Sequence, residues 1–105
     1  MATPTKDPAK NRETVSALIL HELDNVVCLL RDHTKDQNPM LTQGNVPPVT
    51  SDIALGHKVA IKEIPKNTPV IKCGAEIGLA TKNIRAGDHV HVHNLSGFLE
   101  RELSL

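Results

Sequence analysis

The chain has 105 residues, 39% of them apolar, and its 12 Lys+Arg balance its 12 Asp+Glu. That length gives one domain with a single thin core, too small for a cleft buried between two domains. Zero formal net charge argues against nucleic acid or an anionic membrane as partner, and one Phe with no Trp or Tyr removes the stacking platforms of single-strand binders.

Residues 1–13 are polar and of mixed charge, which reads as a flexible arm. They lack the apolar stretch of a signal peptide. The longest apolar runs, Val26 to Leu30 and Ala17 to Leu20, fall far short of the ~20 residues that cross a bilayer. A soluble cytoplasmic protein with reduced thiols is expected. Cys28 and Cys73 fit no CxxC or zinc spacing and read as small buried or half-buried thiols.

A domain is expected over residues 14–95. The runs Val15 to His21 and Val26 to Leu30 favour strands, with Asp24-Asn25 between them. Both residues tolerate the positive φ of a tight turn, so the segment reads as a β-hairpin. An amphipathic helix over Val15–Leu30 is the rival, because Leu18, Leu23 and Val26 approach helical spacing. Residues 34–52 read as a long loop, since Asn38-Pro39, Gln43-Gly44 and Pro47-Pro48 oppose regular structure. From Ile53, apolar pieces at Val59–Ile61, Pro69–Ile71, Ile77–Leu79 and His89–His93 alternate with turns at Pro65–Asn67, Lys72–Gly74 and Arg85–Asp88. Strands at this spacing predict an all-β barrel or sandwich. No internal repeat stands out. Residues 96–105 read as a C-terminal tail, either a short helical turn or a segment that docks on a partner.

The sharpest chemical feature is His89-Val-His-Val-His-Asn94. On a strand, His89, His91 and His93 share one face while Val90 and Val92 point to the core. Three readings stay open: solvated or interface histidines, an active-site strand that moves protons, or a metal site. The last needs a further ligand from His57, His21 or a partner subunit. His57 follows Gly56, where glycine allows a sharp bend or the close approach of another group. Lys58, Lys62, Lys66, Lys72, Lys82 and Arg85 outnumber Asp52, Glu63 and Glu76 over residues 52–85. This bias is either a solvated face or a carboxylate-binding surface, and Lys72 stands out at a strand-to-turn junction. Nucleophile-elbow, phosphate-loop and HExxH patterns are absent.

Five segments taken in order resemble a known family: His21–Val26, Gly56–Ile61, Pro69–Gly74, Glu76–Ala80 and Ala86–Asn94. Together they are similar to the SAF-type β-clip domain of altronate and galactarate dehydratases, and to the small subunit of the related sulfolactate sulfo-lyase. The resemblance covers residues 16–95. It implies a small β-clip barrel of short bent strands. It also implies a larger catalytic subunit as partner, a sugar acid as substrate, and divalent iron or manganese held by the large subunit, with no metal ligand assigned to this chain. A homo-oligomer is open. Matching residues are Asp24, Asn25, Gly56, Gly74, Gly78 and Gly87 as structural turns, His57, Lys58, Lys72 and Asn94 for substrate, and His91 and His93 for catalysis. The chain departs from its relatives at Cys73, where Tyr is frequent, and at Asn67-Thr68. The expected function is that of a non-autonomous subunit assisting β-elimination of water from a sugar acid. Elimination of bisulfite from sulfolactate, a stand-alone binding module and a small histidine-based metal binder are the alternatives.

Overall fold

The computed structural model describes residues 15–97. The arm expected over 1–13, and the tail beyond Gly97, lie outside the described residues. Seven strands form two antiparallel sheets, with no helix among the described residues. The first sheet runs β1 (Ala17–Leu18), β2 (Val26–Leu29), β3 (Lys58–Ala60), β6 (His89–Val90). The second runs β4 (Pro69–Lys72), β5 (Ala75–Ala80), β7 (Leu95–Gly97). The all-β expectation holds. β7 crosses the expected domain edge at residue 95.

The first hairpin forms, with Ala17 opposite Leu29 and Leu18 opposite Cys28. Its turn chemistry differs from expectation, because neither Asp24 nor Asn25 takes a positive φ. Both are buried. The Asn25 amide donates to the Pro69 carbonyl at 3.0 Å and accepts from the Ile71 amide at 2.7 Å. One Asp24 oxygen accepts from the Gly74 amide at 2.8 Å. The pair therefore bolts the first sheet to the β4–β5 hairpin, while Asp24 also closes the local turn, its amide donating to the His21 carbonyl at 3.0 Å and its other oxygen accepting from the Leu20 amide at 3.3 Å.

Adjacent residues on β2 and β3 are buried on opposite faces. Val27, Leu29 and Val59 join Val46, Val49 and Ile53 in one apolar cluster. Val26 and Ala60 join Ile64, Val70, Ala80, Ile84 and Val90 in the other. A strand buried on both sides loses the apolar–polar alternation of a half-exposed strand. The thin core is thus two small cores separated by the middle of one sheet.

An internal repeat, not apparent in the sequence, organises the chain. The paired hydrogen bonds between His33 and Ile53 recur between Ile64 and Ile84, 31 positions on. The Asp36 amide donates to Val49 as Asn67 does to Ala80, and Gly56 donates to Leu29 as Gly87 does to Ala60. The side chains of Asp52 and Asn83 accept from the amides of Lys35 and Lys66. Ser16 and Asn25 play one role at the head of each copy: each side chain accepts from the chain amide of the next element, Met40 or Ile71. The expected loop 34–52 is the first copy of the β4–β5 hairpin. Met40 pairs Asn45 where Ile71 pairs Glu76. Pro39, Pro47 and Pro48 lack amide donors, so this copy retains a single bridge rather than a ladder.

The copies share a left-handed turn at Gly56 (φ +88°) and Gly87 (φ +93°). A Cβ on Gly56 would meet open space, whereas one on Gly87 would overlap the Pro48 carbonyl. Gly78 has another reason to lack a side chain, because β7 passes so close that a Cβ would overlap the Ser96 carbonyl.

Candidate functional site

Four imidazoles gather where β3, β6 and the following turn meet. His57 leaves the Gly56 turn just before β3, and His89 opens β6 beside it. His57 Nδ1 and His89 Nε2 are 2.8 Å apart and share a hydrogen bond. The His91 ring lies 5.1 Å from that of His57 and stacks on His89 at 5.5 Å with an interplanar angle of 8°. His93 tilts against His89 at 5.4 Å. His57 and His89 are half-buried, while His91 and His93 are exposed.

The rings converge by a route that strand alternation does not predict. β6 ends at Val90, and residues 91–94 form a turn. Val90 is fully buried as expected, but Val92 is 66% exposed and does not face the core. Asn94 causes the break. Its Oδ1 accepts from the His91 amide at 2.9 Å, and its own amide nitrogen donates to the His91 carbonyl at 3.0 Å. Its Nδ2 donates to the His89 carbonyl at 2.8 Å. These bonds take the His91 backbone out of the ladder and fold His91 and His93 back over β6. Asn94 is buried, and its amide is committed to the turn. It holds the 91–94 turn in shape, and it also lines the cleft beside the imidazoles.

Burial pushes the His89 pKa down to about 4, with further contributions from the charges of His57, His93, His91 and Lys58. Its imidazole is therefore neutral at physiological pH, with one nitrogen lone pair to offer. Asp24, in the inter-sheet bolt, moves down from the ordinary carboxylate value. Burial works to raise it, but amide donors of Gly74, Cys73, Leu20 and His21 outweigh that.

Beside the imidazoles lies a polar cleft of about 280 Å³. Thr50, Ser51, Lys82 and Asp88 line it with His89 and His93. Asp88 accepts from the Thr50 hydroxyl at 2.7 Å and from the Arg85 amide at 2.9 Å. The Arg85 guanidinium stands 3.9 Å from it on the exposed side. Lys82 brings a cation to the cleft without a carboxylate partner among the described salt bridges. The sequence marks Lys82 only as one basic residue among six. The repeat would have found it, because Lys82 stands where the first copy has Ser51, in Thr50-Ser-Asp-Ile53 against Thr81-Lys-Asn-Ile84.

The structure brings together His57, His91, His93 and Asn94, and Lys58 is close enough to act on His89 electrostatically. Lys72 is elsewhere. It ends β4 in the second sheet, at the hairpin whose Gly74 packs under the His21 ring. His21 is likewise outside the cluster, its Nδ1 accepting from the Leu23 amide at 3.0 Å. Cys73, at that hairpin tip, is exposed rather than buried, while Cys28 is half-buried.

Residues 15–97 match the family described as the altronate/galactarate dehydratase SAF domain. The chain is 39% identical over 79 residues to altronate dehydratase of Bacillus subtilis (strain 168), covering 75% of this chain and 16% of that one. It is 41% identical over 75 residues to altronate dehydratase of Escherichia coli (strain K12), covering 71% and 15%. It is 45% identical over 47 residues to (2R)-sulfolactate sulfo-lyase subunit alpha of Chromohalobacter salexigens, covering 45% and 50%. The chain thus spans about one sixth of the altronate dehydratases it matches.

Proposed function

This chain belongs to the altronate/galactarate dehydratase SAF-domain family, and from that premise we propose that it serves a lyase removing water β to the carboxylate of a sugar acid. It works beside a larger catalytic subunit in the cytoplasm and is not catalytic alone. One observation carries this reading. An acid–base cluster and a free cation share the rim of a cleft that is open to solvent on this chain. A second surface must close over it before water is excluded from the chemistry.

In this reading Lys82 holds the substrate carboxylate, a role the sequence suggested for Lys72 or His57. His93, exposed at the rim of the cleft, protonates the departing hydroxyl, with His91 beside the same site. His89, held neutral, bonds His57 and fixes its ring beside the cleft. Divalent iron or manganese, which the family implies, would supply Lewis acidity for the departing hydroxyl when bound. The imidazole set suits iron better than manganese.

A second reading has its own support, because a relative in which this region makes up half the chain is a sulfo-lyase subunit. There the leaving group would depart as sulfite, which needs no proton to leave and takes one up from solvent afterwards to become bisulfite. The two readings separate in one experiment. The chain is co-purified from its host, reconstituted with the large partner, and assayed on altronate, galactarate and sulfolactate. His91→Ala and His93→Ala should each lower dehydration by about 10²–10⁴-fold with unchanged melting temperature. Sulfolactate cleavage should fall far less. Robust turnover by this chain alone would overturn the subunit reading, and the absence of any partner would favour a stand-alone module.

A further inference from the structure

We infer that His57, His89 and His91 form a divalent-metal site within this chain itself, of the class that takes imidazole nitrogen. The sequence-based expectation put the metal on a large subunit and sought a ladder of His89, His91 and His93. The geometry selects a different trio, and His93 is outside it.

One nitrogen from each of His57, His89 and His91 lies within 4.8 Å of the others. Nitrogens that share a metal at about 2.0–2.1 Å sit roughly 3.0–3.4 Å from one another. The His57–His89 pair at 2.8 Å stands just closer than that. Seating an ion therefore asks for a small opening of one pair and a small closing of His91, which is exposed and has room to turn. The three ligands come from two stretches far apart in the chain: His57 from the turn before β3, and His89 and His91 from β6 and the turn that directly follows it. Two of them are half-buried, unlike a chance surface cluster.

Their supports are rigid. The Gly56 amide donates to the Leu29 carbonyl at 2.9 Å and anchors the turn that carries His57. Asn94 bonds the His89 carbonyl and the His91 amide, fixing the backbone of two ligands with one side chain. Such outer bonds orient ligands and sharpen affinity. The proton count also closes. In the metal-free pair one ring donates N–H and the other accepts. On binding, the donor ring carries its proton on its far nitrogen instead, so two neutral rings ligate and no proton is lost. Three imidazoles leave at least one coordination position open, as catalytic metal sites do. The open side adjoins the cleft that holds Lys82, because His89 belongs to both.

The test is a titration of the 105-residue chain with Co(II) alone, without oxygen, followed by visible absorption and by competition with Zn(II). One equivalent should bind, with d–d bands of nitrogen ligation. His57→Ala, His89→Ala and His91→Ala should each weaken binding by at least about tenfold. His93→Ala and His21→Ala should stay within about threefold. Circular dichroism of each variant separates lost ligands from lost fold, and His57→Gln provides a second variant of similar size. Binding that is absent, or indifferent to His57, overturns the inference, as does an equal loss in His93→Ala. The readout needs neither partner nor substrate, so a failed lyase assay leaves it intact, and a failed titration leaves the lyase reading standing.

Discussion

The two copies of the repeat, residues 33–59 and 64–90, share a backbone hydrogen-bond pattern and almost nothing else. Lys35 and Lys66, Thr50 and Thr81, Ile53 and Ile84, Gly56 and Gly87, and Val59 and Val90 are the same residue in both. The positions that diverge are where chemistry collects. His57 corresponds to Asp88, Lys58 to His89, and Ser51 to Lys82. Beyond the last shared position, the first copy continues into buried Ala60, whereas the second breaks into the turn with exposed His91. The shared pattern makes a scaffold, and the departures from it supply an imidazole, a cation and an open turn at one place.

The largest effect should come from the shared glycines. Gly56→Ala adds only left-handed strain of about 1–2 kcal/mol. Gly87→Ala adds an overlap with the Pro48 carbonyl and should cost about 3 kcal/mol or more. Urea unfolding of both variants measures the gap, and equal losses would mean the second copy is not held against residues 47–49 as described.

Next comes His33, which occupies the place of Ile64 but is not an apolar residue there. Its Nδ1 bonds the Arg31 carbonyl and its Nε2 bonds the Ser16 hydroxyl, both at 2.9 Å. His33→Ile makes the copies alike at this position. It gains apolar volume but leaves buried polar atoms without partners, for a net loss of about 1–2 kcal/mol. A stabilised variant would show that the His33 bonds contribute nothing net.

A smaller effect concerns pH. The folded pKa of Asp24 lies below its unfolded value, so the unfolded chain binds more protons in the acid range. Its contribution is complete above the ordinary carboxylate value of 3.8 and is lost as pH falls through the lower folded value. Asp24→Asn should therefore be less stable than wild type at pH 7 and lose less on acidification from pH 5 to pH 2. Parallel acid curves for the two proteins would remove Asp24 from the inter-sheet bolt.

The smallest effect is the most diagnostic of the broken ladder. Val92→Ala should change stability by less than about 0.5 kcal/mol, as exposed positions do, whereas Val90→Ala should cost about 2 kcal/mol. A continuous strand would make both costly.

Much of this was legible beforehand. Apolar runs and turn residues from Ile53 onward located β3, β4 and β5, and β-branched residues around Asp24 and Asn25 decided for a hairpin over a helix. The illegible parts have physical reasons. Asn25 looks like a turn former because short amide side chains do bend chains locally. Here its bonds go to residues 69 and 71, and no local pattern records that. The ladder reading of His89 to His93 failed because one side chain, Asn94, outbids the neighbouring strand for the His91 amide. The proline-rich stretch read as a loop because prolines remove the ladder bonds, yet it keeps the path of a hairpin.

β3 is the second sheet partner in one copy and the first in the other: Leu29 bonds back to the strand as Ala60 does, and Lys58 occupies both roles. Only residues 61–63 lie between β3 and the second copy, and neither copy has a complete set of strands without β3. Nothing can come apart at a joint made of shared residues. Two units that resemble a pair of domains must therefore melt as one, in a single calorimetric peak, and cutting the chain between them would leave two fragments each short of an edge.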